Sequence, residues 1–269
     1  MRKGTYMIKK LDHKDQKRVL AYLYQESAYN IFIIGDIETF GMETEFQRVY
    51  GEFDDEDQIL SIFLRYRENA VYYAHEKRFN LDYLKIFKED PFDYFSGKTE
   101  LLDLIKPYLE GFKQKHMYFC QAKHLNIKDN HLEQIKVLKT KEEAEKLYDL
   151  LVSIDEFGYS KKDKEAFINQ KTTDQKMGIT LILEKDHQVL SSVATTAETT
   201  KSAMVVAVAT DKNYRNRGYA SILMQKLMMI YFEEKKKELC LFYDNPNAGK
   251  IYHRLGFETI GTWDMYSRK

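Results

Sequence analysis

Arg215, Arg217, Gly218 and Ala220 in the stretch NYRNRGYA are residue types that can hold an anionic group. Gly218 lets a ligand approach the backbone with no Cβ in the way, and Ala220 keeps the position after next small. The stretch lies between an apolar run, AMVVAVAT at Ala203–Thr210, and an amphipathic one, SILMQKLMMIYFEEKKKE at Ser221–Glu238. A strand, a tight basic turn and a helix in that order aim consecutive N–H groups and the positive end of the helix dipole at one point, where phosphate binds well. The same order also suits a surface corner with two solvated arginines.

Further on, NPNAGKIYHRLGF spaces Asn245, Ala248, Tyr252, Gly256 and Phe257 along a short helix. Asn245 before Pro246 makes a good N-cap, Gly256 is a common helix stop, and Tyr252 either packs or acts. In this order and spacing the two stretches resemble the GNAT superfamily of N-acetyltransferases, which bind acetyl-coenzyme A, over roughly residues 132–269. The resemblance implies a pyrophosphate cradle at Arg215, Asn216, Arg217, Gly218, Tyr219 and Ala220. It also implies a pantetheine contact from Asn245, a place near the thioester sulfur for Tyr252, and a mixed sheet splayed around the ligand between its fourth and fifth strands.

Acyl transfer to an amine needs a neutral amine, a donor to the tetrahedral oxyanion and a proton for the departing thiolate. A thiolate of reference pKa near ~8.5 takes a proton from a phenol of about 10 if the site assists, which makes Tyr252 the expected general acid. For the oxyanion, a main-chain N–H in VAVAT is the natural donor, Val208 first, and Val208, Ala209 and Thr210 are expected among the coenzyme-binding residues. The base is harder to find. Many members of the family carry an acid on the fourth strand, but Ala203–Thr210 has none. Glu198, closing the preceding strand, and Glu156, between the first two helices of the second half, are the candidates. An acceptor that arrives neutral needs neither, and a module that binds acetyl-coenzyme A without turnover is the alternative.

These residues need elements to place them. The second half reads as strand, two helices, three strands, the long amphipathic helix of about twenty residues (roughly 30 Å), a strand, a short helix and a final strand. The first half reads as a helix, a three-strand meander around Asp54–Asp57, two helices broken at Pro107 and a strand, so the fold class is mixed α/β. The expected domains are 1–127, a degenerate GNAT-like α/β unit, and 128–269, the acetyltransferase. Without a counterpart of the glycine turn, the first would serve packing, homodimer contact or acceptor recognition.

The 42 basic and 42 acidic residues cancel, and no single-sign face is long enough to drive binding to nucleic acid or an anionic membrane. Cys120 and Cys240 lie far apart in apolar runs, as buried reduced thiols would. The N-terminus lacks an apolar leader segment and no stretch is long enough to span a bilayer, so a cytoplasmic protein is expected. The histidines show no metal-ligand spacing, so no metal is expected. FDYFSGKT ends like a P-loop but lacks its first glycine, which excludes ATP binding.

Overall fold

Apolar alternation sets the strands of both halves, and apolar residues at helical spacing set the helices between them. The computed structural model describes residues 6–126, 135–157, 163–173 and 178–269, with the side chain of Glu156 outside the description. The first half runs β1 (Met7–Lys10), α1 (Gln16–Leu23), α2 (Ile31–Phe40), β2 (Gln47–Phe53), β3 (Ile59–Tyr66), β4 (Asn69–Ala74), α3 (Tyr83–Glu89), β5 (Tyr94–Lys98), α4 (Thr99–Ile105) and β6 (Phe112–Ala122). The second repeats that succession: β7 (Ile135–Val137), α5 (Lys141–Val152), α6 (Lys164–Thr173), β8 (Thr180–Lys185), β9 (Gln188–Thr196), β10 (Ser202–Thr210), α7 (Tyr219–Met229), β11 (Glu238–Tyr243), α8 (Pro246–Leu255) and β12 (Glu258–Arg268). Two units result, Met1–Phe119 with Ile260–Lys269 and Cys120–Thr259, so β6 and β12 each contribute to both. The boundary expected at 127/128 falls outside the described residues.

In the first unit β1 to β4 pair antiparallel in sequence order and β4 pairs parallel with β5. The end of β12 adds to β5, Trp263–Ser267 against Lys98–Tyr94. Phe63, Tyr72, Tyr83, Phe95, Leu102 and Tyr266 form its core. Three of these elements escape the pattern of the sequence: β1, α2 and β5. The α2 run IFIIGDI buries Ile31, Ile33, Ile34 and Ile37, so it has no polar face to mark a helical period. FDYFSGKT turns out to hold β5, where Gly97 is required because a Cβ would stand 2.9 Å from the Tyr72 carbonyl oxygen. Pro107 does end a helix, sitting in the 3-10 turn Lys106–Tyr108 after α4.

The second unit contains the glycine turn. Its strands β7 to β10 pair antiparallel, and β10 pairs parallel with β11. Strand alternation divides its core: Leu181 and Leu183 of β8 join Leu223, Leu227, Tyr231, Leu241 and Tyr252, while Ile182 joins Leu147, Leu151, Phe167 and Ala209. Each leucine, isoleucine or phenylalanine among them, when fully buried, stabilises by about 1.5–3 kcal/mol relative to exposure.

Helix α5 starts on a capping box. Thr140 Oγ1 accepts the Glu143 N–H at 3.2 Å, and Glu143 reaches back to the Thr140 N–H at 3.0 Å. Thr140→Ala removes the acceptor and is expected to destabilise the unit by about 1 kcal/mol, read as a lower urea midpoint at unchanged slope.

The amphipathic run is not one α-helix through Glu238. Helix α7 passes at Ile230 into a π turn, Ile230–Glu234, closed by Lys235 N–H donating to the Ile230 carbonyl at 3.0 Å. The wider turn fits Tyr231, which is fully buried with its hydroxyl 2.7 Å from both Thr195 Oγ1 and Glu198 Oε2. Among the described residues no helix is long and apolar enough to cross a membrane. No group of three or more His, Cys, Asp or Glu there is placed to hold a metal ion.

Candidate functional site

The parallel ladder between β10 and β11 joins Ser202–Met204 to Glu238–Cys240 and goes no further, although both strands continue. On its other side β10 pairs with β9, but Val206 faces Ala194 and Ala209 faces Ser192, so Ala207 and Val208 together oppose Val193. This is a bulge, which leaves the extra residue out of the ladder and bends the strand. Ala207 takes φ +51° and its carbonyl accepts from Ser192 Oγ at 3.1 Å, while the Ala209 carbonyl accepts from Ser191 Oγ at 2.6 Å. Two serine hydroxyls thus hold the kinked strand from β9, and Val208 and Thr210 stay only partly buried. No residue type in VVAVAT announces the bulge; only the serines opposite it carry a signal.

After β10 the Asp211 N–H donates to the Leu190 carbonyl at 2.9 Å, and the Asp211 side chain caps the 3-10 turn Lys212–Tyr214. Asn216 (φ +63°) and Gly218 (φ +82°) are left-handed, while Arg217 between them is not. Left-handed residues on either side of one that is not are the backbone pattern of an anion nest, in which successive N–H groups can face one concavity. The first turn of α7 extends it, because Ile222 N–H is the first to bond back, to the Gly218 carbonyl at 3.1 Å. The N–H groups of Tyr219, Ala220 and Ser221 precede that bond and are spare donors at the positive end of the helix. A Cβ on Gly218 would meet nothing within 4 Å, so the glycine is required by its φ rather than by crowding. The arginines are tethered beside the nest: Arg215 Nε donates to the Thr210 carbonyl at 3.3 Å, and the Arg217 guanidinium lies 5.0 Å from the Tyr214 ring centre.

Asn245 caps α8, its side chain accepting the Asn247 N–H at 2.9 Å, with Pro246 in the first turn. Gly256 ends the helix at φ +114°. Tyr252 lies between these caps, 8% exposed, with the Tyr243 and Phe257 rings each 6.0 Å away by centroid. Burial, helped by the nearby Cys120 sulfur, pushes its phenol up to about 12, so it keeps its proton at neutral pH. Arg254 Nη2 donates to Ser221 Oγ at 3.1 Å and so ties α8 to the first turn of α7.

Glu198 lies before β10, at its paired end, whereas the glycine turn follows the other end of a nine-residue strand, roughly 30 Å long. Both its oxygens are engaged: Lys235 donates to both at 2.7 and 2.9 Å, Lys237 to Oε1 at 2.8 Å, and Tyr231 to Oε2 at 2.7 Å. Burial alone would raise this carboxyl, but the bonds from Lys235, Lys237 and Tyr231 outweigh it and hold it below its ordinary value. A depressed folded pKa stabilises the fold above the unfolded value near ~4.3, and that contribution is lost as pH falls through the folded value. The urea midpoint of the native chain is therefore expected to fall more steeply below pH ~4 than that of Glu198→Gln, which keeps the shape without the charge. Glu156 is in the 3-10 turn Asp155–Phe157, and its side chain lies outside the described part of the structure.

The structure thus places Val208, Ala209, Thr210 and Arg215–Ala220 along one end of β10 and the start of α7, with Asn245 and Tyr252 on α8 in the same unit. Comparison with known proteins follows this division. Residues 144–257 match the acetyltransferase (GNAT) family model. A stretch of 63 residues is 35% identical to the L-amino acid N-acetyltransferase AaaT of Escherichia coli (strain K12), covering 22% of this chain and 39% of that relative's length. The whole chain is similar in fold to a GCN5-related N-acetyltransferase-like protein from Streptococcus suis 89/1591, with TM-score 0.59, 18% identity, and 96% of this chain and all of that one covered. It is likewise similar to a GCN5-related N-acetyltransferase from Sphaerobacter thermophilus, with TM-score 0.60, 14% identity, and 97% and 94% covered. The bulged β10 that parts from β11, the glycine turn and α7 thus all fall within residues 144–257, the part of the chain that matches the acetyltransferase (GNAT) family model.

Proposed function

We propose that the chain transfers an acetyl group from acetyl-coenzyme A to a primary amine of a small molecule or peptide by direct attack in a ternary complex. The observation that supports this most is the nest at Asn216–Gly218 opening onto the N-terminus of α7, at the end where β10 and β11 are no longer paired. Its spare N–H groups fit a pyrophosphate, with Arg215 and Arg217 adding charge from the side. Asn245 and the bulged main chain of Val208, Ala209 and Thr210 line the way from there toward Tyr252, and the Val208 N–H is the oxyanion donor.

Tyr252 supplies the proton for the departing thiol. Against a thiol of reference pKa ~8.5, a phenol pushed up to about 12 by burial is the weaker acid. The same desolvation acts on sulfur: burial raises both Cys120 and Cys240 in this unit. A leaving thiolate shielded alongside Tyr252 rises with it, which narrows the gap and makes a hydrogen bond from the phenol the main contribution until the C–S bond breaks. Glu198, tied to two lysines, fastens the closed end of the slot in this scheme, and the amine arrives neutral; orientation of the two reactants then carries the rate. A cytoplasmic setting suits the two free cysteines, both buried.

The test is steady-state thiol release by the purified chain with acetyl-coenzyme A and a panel of amines. L-Amino acids come first because AaaT is named for them, followed by other small amines and peptides. Saturable, amine-dependent release supports transfer. Saturable coenzyme binding with no release above background for any amine would point to a binding module instead.

A further inference from the structure

Tyr252 is held between two aromatic rings, and both are fastened by the side chain next to it in sequence. His253 Nδ1 lies 2.9 Å from the Phe257 carbonyl oxygen, which can only accept, so Nδ1 carries the proton. In the neutral ring Nε2 is then the acceptor, and the Tyr243 hydroxyl lies 3.1 Å from it. One imidazole therefore bonds the hydroxyl of one flanking tyrosine and the main chain of the flanking phenylalanine. The imidazole also stands edge-on to Tyr243, centroids 5.9 Å apart at 86°.

Space for this arrangement comes from Gly249, one turn before His253 on α8. A Cβ there would lie 2.5 Å from the Tyr243 ring, a distance no real contact allows. Phe257 is fixed a second time by its N–H donating to the Tyr252 carbonyl at 3.0 Å. Thr259 Oγ1, 3.5 Å from Nε2 and 3.4 Å from Cys120 Sγ, closes the set around the imidazole. All these residues belong to the second unit.

We infer that His253 is a positioning residue for Tyr252: it clamps Tyr243 and Phe257 so that the phenol between them points in a single direction. This inference rests on the proposed role of Tyr252 in acetyl transfer. His253 is itself exposed at the surface of α8 and needs no contact with substrate.

The experiment is a double-mutant cycle on kcat and on KM for acetyl-coenzyme A, using His253→Ala, Tyr252→Phe and the pair, with a thermal melt to confirm that each variant is folded. His253→Ala is expected to lower kcat about tenfold, since small misplacements of a reacting group are costly, with KM changed less than twofold. In the Tyr252→Phe background the same change should have no further effect on kcat. Tyr243→Phe, which keeps the ring and removes the hydroxyl, should lower kcat in the same direction. Full activity in folded His253→Ala, or an equal loss of kcat with and without the Tyr252 hydroxyl, overturns the clamp. Full activity in Tyr252→Phe would instead overturn the role of Tyr252 itself, so the two failures are told apart.

Discussion

Tyr252→Phe is expected to lower kcat by about 100-fold or more while leaving KM for acetyl-coenzyme A nearly unchanged. The substitution removes one oxygen and keeps the ring, so the packing against Tyr243 and Phe257 survives and little stability is at stake. What is lost is the proton donor, and positioned acid–base groups contribute typically 10²–10⁴-fold. An unchanged KM with reduced kcat is the mark of an interaction made only as the thiolate departs. Steady-state thiol release with a saturating amine measures both constants. A loss confined to KM would make Tyr252 a binding wall, and no loss at all would leave it a core residue.

Gly218→Val should weaken acetyl-coenzyme A by on the order of 100-fold in Kd while leaving the fold intact. Gly218 is exposed with open space around it, so nothing clashes. The effect comes from φ +82°, which valine resists by roughly 1–2 kcal/mol or more. A valine relieves that strain by leaving the left-handed region, and the amides of the nest turn away with it. Binding must then restore the strained turn and recover hydrogen bonds to charged oxygens worth about 1.5–3 kcal/mol each. Together these make about 3 kcal/mol, or ~100-fold. Gly218→Asn is the control, because asparagine tolerates the left-handed region and its neighbour Asn216 already occupies it. Calorimetry should rank glycine first, asparagine close behind and valine far below. Equal affinity for valine would mean that the coenzyme does not use this turn.

How much of this was legible in the sequence varies with the kind of interaction. The glycine turn and the Asn245–Tyr252 spacing were readable because both depend on residue type at fixed local distance: Gly for positive φ, Asn and Pro for a helix start, Gly256 for its end. Local chemistry of that kind shows in one dimension. The β10 bulge did not show, since Ala207 at φ +51° is an unremarkable residue forced by pairing with β9. The partners of Glu198 were equally hidden: Lys235 and Lys237 read as helix-end cations, and only the π turn brings them and Tyr231 to the carboxylate. His253 looked like one more polar residue of a short helix, because both groups it bonds are set by how α8 lies on the end of β11. In the first half, α2 and β5 escaped for lack of contrast, one apolar on every side and the other too short to show alternation.

Mass spectrometry of the amine after incubation with isotopically labelled acetyl-coenzyme A, comparing the native chain with Gly218→Val and Tyr252→Phe, tests acetyl transfer at this site most directly. The predicted result is one labelled acetyl group on the amine nitrogen, formed by the native chain and sharply reduced in both variants. Labelled coenzyme bound by the native chain with no labelled amine, or equal product from all three proteins, would contradict it.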